Sequence, residues 1–398
     1  MRNRILHLAD LHLGAAADSD LPERSAEKLR DCRDRLLDRL ADYVTQPESP
    51  IGLVLIVGDL FDRHDPPQDL ETRVRQALAA SARTVPVITV PGNHDELSYR
   101  DCPYRRGDWP GVLVRNSSPE VVWHGPIGPE GYLVIVSAAY EAGKARPGTE
   151  LRFPPVPELR ASGAFPDHAR FLAAVHGTVT DYFSGRVVEG ERCFRVSHRQ
   201  VAEAGYDYLA LGHIHRPCSW RAGTCHAVYP GPVVGPIASD PGTGTWVSVR
   251  VAGPSLIAET SAAPPAVVPT RWNVVEEQVA PEESVQSVLE RITPRITAGG
   301  DDPTVLRLQG RTSHSELCGE LRRRLADAGL SAVIRGDELE ALPEADAEQL
   351  AREESLTGCF VRKWRAWREA EKPEESLAAA VLWEGLHALG WSEGGGGS

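Results

Sequence analysis

The stretch "HLADLHLG", residues 7–14, runs a short apolar segment into an acid and an imidazole two positions apart, then stops on a glycine. Ile5, Leu6, Leu8 and Ala9 have the pattern of a buried strand. Such a strand has no place for Asp10 or His12 unless something pairs with them, because an unpaired charge in apolar surroundings is costly. The plainer reading is a turn, since Asp and Gly are common loop punctuation. The rest of the chain separates the two.

The same event recurs downstream. "GLVLIVGD" (52–59), "VPVITVPGNHD" (85–95), "GYLVIVSAA" (131–139), "FLAAVHG" (171–177) and "YDYLALGHIH" (206–215) read as buried strands. Polar residues interrupt these runs where a strand ends: Asp59, then Asn93 and His94, then His176, then His213 and His215. Ligands collect at strand ends of an α/β sheet. One such interruption is an ordinary turn or a core histidine. Five in series are hard to explain that way.

Between the first strands lie "SAEKLRDCRDRLLDRLADYV" (25–44), with Leu29, Leu36, Leu37, Leu40 and Val44 on one helical face, and "DLETRVRQALAASAR" (69–83). Strands alternating with helices predict an α/β core. The later strands, ending in "GTWVSVRVAG" (244–253), have less helix between them, so the expected core has two sheets. "GPSLIAETSAAPPAVVPT" (253–270) reads as a boundary. The expected domains are therefore 1–268, a β-α-β-α-β module over 269–343, a helical tail over 344–391 and a flexible end over 392–398.

The 398 residues carry a net charge of −13, which argues against a protein that coats nucleic acid by its global field. Local grip on phosphates is still open to it. The seven cysteines form no C-x-x-C pair and read as reduced thiols. No run is long and apolar enough to span a bilayer, and the N-terminus has no charged-then-apolar leader, so the expectation is a cytoplasmic protein with no membrane role.

The series D-x-H, G-D-x-x-D, G-N-H-D, a lone H and G-H-x-H, spanning residues 10 to 215, resembles the signature of the calcineurin-like metallophosphoesterase superfamily. Within it, "ADLHLG", "GDLFDR" and "GHIHRP" are similar to bacterial DNA-repair exonucleases of the SbcD type, although Leu11 stands where many close relatives carry an aromatic residue. The resemblance implies a two-sheet phosphoesterase core, a smaller α+β capping domain that positions DNA, and a helical tail that binds an SMC-like (SbcC-type) ATPase. A homodimer is a further expectation.

Asp, His and Asn form an oxygen-and-nitrogen donor set suited to Mn²⁺, Fe²⁺ or Zn²⁺, and seven ligands suit two ions sharing a bridge. Carried over, the pattern gives Asp10, His12, Asp59 and His215 to one ion and Asp59, Asn93, His176 and His213 to the other, with Mn²⁺ the expected metal. It leaves His94 to face the scissile phosphate, with Asp95 orienting its imidazole. Arg105, Arg106, Arg195 and Arg199 are candidate DNA-backbone contacts. Phe360, Trp364 and Trp367, one stripe in "GCFVRKWRAWREA" (358–370), are candidate partner contacts, the alternative being that the tail helices pack on one another or on the capping domain. The functional expectation is a two-metal DNA nuclease. A small-molecule phosphodiesterase or phosphatase and a metal-bearing scaffold subunit are the alternatives.

Overall fold

The computed structural model describes residues 1–389 except 18, 146–149, 182–192, 236, 254, 282, 313, 315, 342–343 and 374. The expected flexible end, 392–398, lies outside the described residues. The chain forms two compact units, Met1–Asp18 with Ala26–Arg271, and Ser19–Ser25 with Trp272 onward.

The first unit begins with β1 (Arg4–Leu8), α1 (Glu23–Asp34, which belongs to this unit from Ala26), α2 (Leu36–Thr45), β2 (Ile51–Val57), α3 (Gln68–Ala82) and β3 (Val87–Val90). It continues with β4 (Val112–Leu113), β5 (Glu120–Ile127), β6 (Gly131–Ala138), α4 (Val156–Ala161), β7 (Arg170–Val179), β8 (Phe194–Val196) and α5 (His198–Glu203). It closes with β9 (Tyr208–Gly212), β10 (Cys218–Ala222), β11 (Cys225–Tyr229), β12 (Thr245–Ala252) and β13 (Ser255–Ala262). Two mixed sheets result. One has the order β13-β12-β1-β2-β3-β4, and the other β10-β11-β9-β7-β6-β5 with β8 added to β7.

Strand alternation explains why these segments are apolar throughout. Leu53, Leu55 and Val57 of β2 meet Leu133 and Ile135 of β6, Leu172 and Ala174 of β7, and Tyr208 and Ala210 of β9 in the core between the sheets. The intervening residues of the second sheet, Val134, Val136, Phe171, Ala173, Leu209 and Leu211, form another core with Val156 of α4 and Val201 of α5. Central strands covered on both faces lose the polar alternation of a half-exposed strand. Strands β1, β2 and β3 run parallel, as do β6, β7 and β9, so their C-terminal ends gather at common edges.

Three features differ from the sequence reading. The 25–44 helix is two helices, broken at Arg35 (φ −107°, ψ 12°). The stretch read as a boundary contains β13, which pairs antiparallel with β12 along its whole length. Its mostly exposed Ser, Ala, Glu and Thr residues give no apolar run, as expected of an edge strand. Third, His176 lies inside β7 and not at its end. Its backbone still pairs with Gly212, and β7 runs on because Gly177–Val179 pairs with β8.

The second unit has a parallel sheet of β14 (Asn273–Val279), β15 (Thr304–Thr312) and β16 (Val333–Ala341), linked by α6 (Val285–Ala298) and α7 (Leu317–Asp327). Val288, Ile292 and Ile296 of α6 and Leu317, Leu321 and Leu325 of α7 pack on Val275, Leu306, Leu308 and Ile334. Helices α8 (Glu344–Arg352), α9 (Leu356–Glu371) and α10 (Glu375–Ala388) follow. Ser355 caps α9 by accepting the Gly358 N–H at 3.0 Å.

The aromatic stripe is packed within this tail. Trp364 is buried with Val361, Leu350, Leu382, Trp383 and Leu386, and Phe360 and Trp367 pack against the same cluster. The Trp364 indole N–H donates to the Ala378 carbonyl at 2.7 Å, and Phe360 lies so close to Gly385 that a β-carbon there would overlap its ring. The expectation of Phe360, Trp364 and Trp367 as an open docking face is corrected: these residues join α9 to α8 and α10.

Candidate metal centre

The loops leaving β1, β2, β3 and β9 converge beside His176. Four residues there hold positive φ, namely Asp10 (55°), His12 (44°), Asp59 (48°) and His213 (102°). Non-glycine residues seldom adopt this region, at a cost of about 1–3 kcal/mol each. Among the described residues only Lys372 shares it. The glycines preceding several of these groups have a steric reason. A β-carbon on Gly58 would fall 1.9 Å from His176 Nδ1, and one on Gly92 would fall 2.2 Å from Asp59 Oδ1.

His12 Nε2 faces His215 Nε2 at 3.1 Å. Each ring is held from behind by an acid: His12 Nδ1 donates to Asp62 at 3.2 Å, and His215 Nδ1 donates to Asp240 through a short bond. Two lone pairs then face each other, an arrangement that only a shared proton or cation makes favourable. Asp10 completes this group. Its Oδ1 accepts the His213 N–H at 2.9 Å, while its Oδ2 is buried with no hydrogen-bond partner.

Asp59 lies between this group and the next. Its Oδ2 is 3.8 Å from His12 Nε2 and 3.2 Å from His176 Nε2, while its Oδ1 accepts the His94 N–H at 2.9 Å. His176 Nδ1 is 3.2 Å from the Val57 carbonyl, and Asn93 Oδ1 is 2.9 Å from His176 Nε2 and 3.1 Å from His213 Nδ1. Burial pushes the Asp10 carboxyl up; it also opposes ionisation of Asp59, but the nearby imidazoles outweigh it and hold Asp59 below the usual range. Two buried carboxylates with an unsatisfied oxygen and converging imidazoles fit divalent cations, and the donor set gives candidate positions for two.

His94 is exposed beside the cluster, with its Nδ1 donating to the Asp62 carbonyl at 2.8 Å and its ring edge-on to His12. It comes close enough to His12 and Asp59 to join a ligand group. The expectation that Asp95 orients this imidazole is corrected. Asp95 is fully buried and accepts from Tyr104 O–H at 2.6 Å, Gly92 N–H at 2.9 Å and Phe61 N–H at 3.1 Å. It ties the "GNHD" loop to the "GDLFD" loop, and the Asp62 carbonyl holds the His94 ring.

Asp240 escaped the sequence reading because "SDPG" carries only a turn signal. Arg33 escaped it too. Fully buried, it donates to the Ala15 carbonyl and, at 2.9 Å, to Asp34, which accepts the Gly14 N–H and so fixes the loop after β1. Of the candidate DNA contacts, Arg106 is 2.7 Å from buried Glu71 and Arg199 is 2.9 Å from Glu203, while Arg195 lies on β8. Arg105 donates to the Leu97 carbonyl at 2.6 Å.

The family model of the calcineurin-like phosphoesterases matches residues 3–217. The chain belongs to that family. Its candidate metal-binding clusters are consistent with a metal-dependent hydrolase of the phosphoesterase fold. Similar proteins include the uncharacterized metallophosphoesterase YhaO of Bacillus subtilis (strain 168), 26% identical over 231 residues, covering 57% of this chain and 52% of that protein. A subunit of the nuclease SbcCD from the same organism is 26% identical over 273 residues, covering 63% and 66%. DNA double-strand break repair protein Mre11 of Aeropyrum pernix is 35% identical over 99 residues, covering 25% and 22%. The matches thus span 22% to 66% of these relatives' lengths. No helix among the described residues is long and apolar enough to cross a membrane.

Proposed function

We propose that this phosphoesterase cleaves phosphodiester bonds of DNA with the help of two divalent ions, Mn²⁺ being the expected metal. The observation that carries the reading is the position of Asp59 Oδ2 between the His12–His215 pair and the His176–Asn93 pair, with buried Asp10 Oδ2 unsatisfied. Asp10, His12, Asp59 and His215 would hold one ion and Asp59, Asn93, His176 and His213 the other. When bound, such a pair supplies charge stabilisation at phosphorus and a water acidic enough to attack near neutral pH.

The protein does the rest. Asp62 and Asp240 fix the His12 and His215 tautomers so that Nε2 of each ring points inward. The Asp62 carbonyl accepts from His94 Nδ1 and anchors the ring, so that Nε2, when the imidazole carries a second proton, is the atom that would donate it to the leaving oxygen. DNA as substrate draws support from the names of the Mre11 and SbcCD relatives. An ATPase partner belongs to the reading through the SbcCD resemblance and not through the tail aromatics, which are packed internally.

The test uses purified protein with Mn²⁺ on linear duplex, single-stranded DNA and a small chromogenic diester, with metal content measured for each variant. His94→Gln is expected to keep two ions per chain and lose about 10²–10⁴-fold in turnover. Asp59→Asn is expected to weaken both ions together. Full activity after chelation would overturn the metal role. Cleavage of the small diester without DNA would leave a small-molecule phosphodiesterase.

A further inference from the structure

The strap after "GNHD" carries a feature the metal centre does not use. Leu97, Arg105 and Arg115 line an open cavity of roughly 470 Å³. Both arginines are exposed, and neither has a carboxylate within ion-pairing distance among the described residues, in contrast to Arg106 and Arg199. Of the two guanidinium groups only that of Arg105 has a hydrogen bond among the described residues, from Nε to the Leu97 carbonyl, which leaves its outer nitrogens available.

The cavity is rigidly tied to His94. Asp95 is fixed by its three hydrogen bonds, and buried Glu96 accepts the Ala142 N–H at 2.8 Å. Arg115 follows Val114, whose N–H donates at 2.9 Å to the Thr89 carbonyl of β3, the strand that delivers Asn93 and His94. The three residues from His94 to Leu97 reach at most about 11 Å. That is a span of a few nucleotides, since one strand carries a phosphate about every 3.4 Å of helix axis.

We infer that Arg105 and Arg115 form a subsite for a backbone phosphate of a nucleic-acid strand, a few nucleotides from the bond cleaved at the metal centre. The inference rests on the proposed nuclease reading and adds where the strand lies. Arg105 presents a guanidinium pre-oriented by Leu97, and Arg115 adds a second donor fork from the neighbouring strand end. The contact carries no base information and sets position only.

Binding of a fluorescent single-stranded oligonucleotide to the full chain, followed by anisotropy across a salt series, tests it. Arg115→Gln is the informative variant because the Arg115 side chain makes no hydrogen bond among the described residues, so its loss does not threaten the fold. The slope of log affinity against log salt is expected to fall by about 0.7, the single-strand value per phosphate, in Arg115→Gln and to be kept in Arg115→Lys. Arg105→Gln is expected to act in the same direction. Equal slopes for the original chain and Arg115→Gln, or no oligonucleotide binding at all, would overturn the subsite. Mn²⁺-dependent hydrolysis of the small diester, measured in parallel, reports separately on the metal centre, so the two readings fail independently.

Discussion

Asp240 is 25 residues from the histidine it holds and belongs to no recognisable motif, yet it decides which nitrogen of His215 faces inward. Asp240→Asn is expected to lower Mn²⁺ affinity by about 10–100-fold, the usual loss when a carboxylate behind a ligating imidazole is removed. Titration calorimetry on the metal-free protein would measure it, and unchanged affinity would remove Asp240 from the centre. His7 is the opposite case, a histidine that should never be charged in the folded chain. It is fully buried between the Tyr208 hydroxyl at 3.1 Å and the Leu211 carbonyl at 3.2 Å, and burial lowers its pKa from 6.5 to about 3. Below pH 6.5 the unfolded chain takes up a proton there that the folded chain refuses. Stability is therefore fully kept above that pH and declines below it, with a slope approaching about 1.4 kcal/mol per pH unit from this group. In metal-free denaturant titrations at pH 7 and pH 5, His7→Gln is expected to show a smaller drop than the original chain; an equal drop would contradict the assignment.

At the level of elements, the tail shows how a correct pattern can have the wrong destination. The i, i+4, i+7 spacing of Phe360, Trp364 and Trp367 identifies an apolar face of α9 but does not say what covers it. The structure covers it with α8 and α10. Trp364→Ala is expected to cost about 3–5 kcal/mol, the range for emptying a buried aromatic site. Hydrogen exchange should show lost protection across α8, α9 and α10; full protection with a lost partner would restore the docking role. The same limit applies elsewhere. Apolar runs made β1, β2, β3, β6, β7 and β9 legible, because strands buried on both faces advertise themselves. Edge strand β13 was hidden by its polar exposed residues, and the break at Arg35 by an apolar periodicity that continues across it. The ligand candidates were legible because acids and imidazoles stood out against apolar strands. Their supports, Asp240 and Arg33, lay among ordinary polar residues and needed the fold to be seen. So did the true partners of Asp95, since adjacency in sequence to His94 suggested a contact that the backbone does not make.

Over the whole molecule, the net charge of −13 and the salt-sensitive grip expected at Arg105 and Arg115 are compatible, because screening confines such contacts to about a Debye length of 8–10 Å. The centre itself is assembled from distant chain segments, Asp10 on one side of the sequence and His215 on the other, joined by the Asp10 bond to the His213 N–H. β1 is likewise flanked on one side by β12, near the end of the first unit. Such a site scarcely exists in a folding transition state that has yet to close its longest loops. Mn²⁺ at about 100 times its dissociation constant adds about 2.7 kcal/mol of stability for each ion bound. Nearly all of it should appear as unfolding slowed by about 100-fold per ion, with the folding rate unchanged. Stopped-flow measurements with and without the ion would decide, and accelerated folding would show that the centre forms early. During synthesis the consequence is one of timing: a ribosome delivers Asp10 and His12 long before His213 and His215 emerge, so throughout that stretch of translation the nascent chain holds an incomplete metal site.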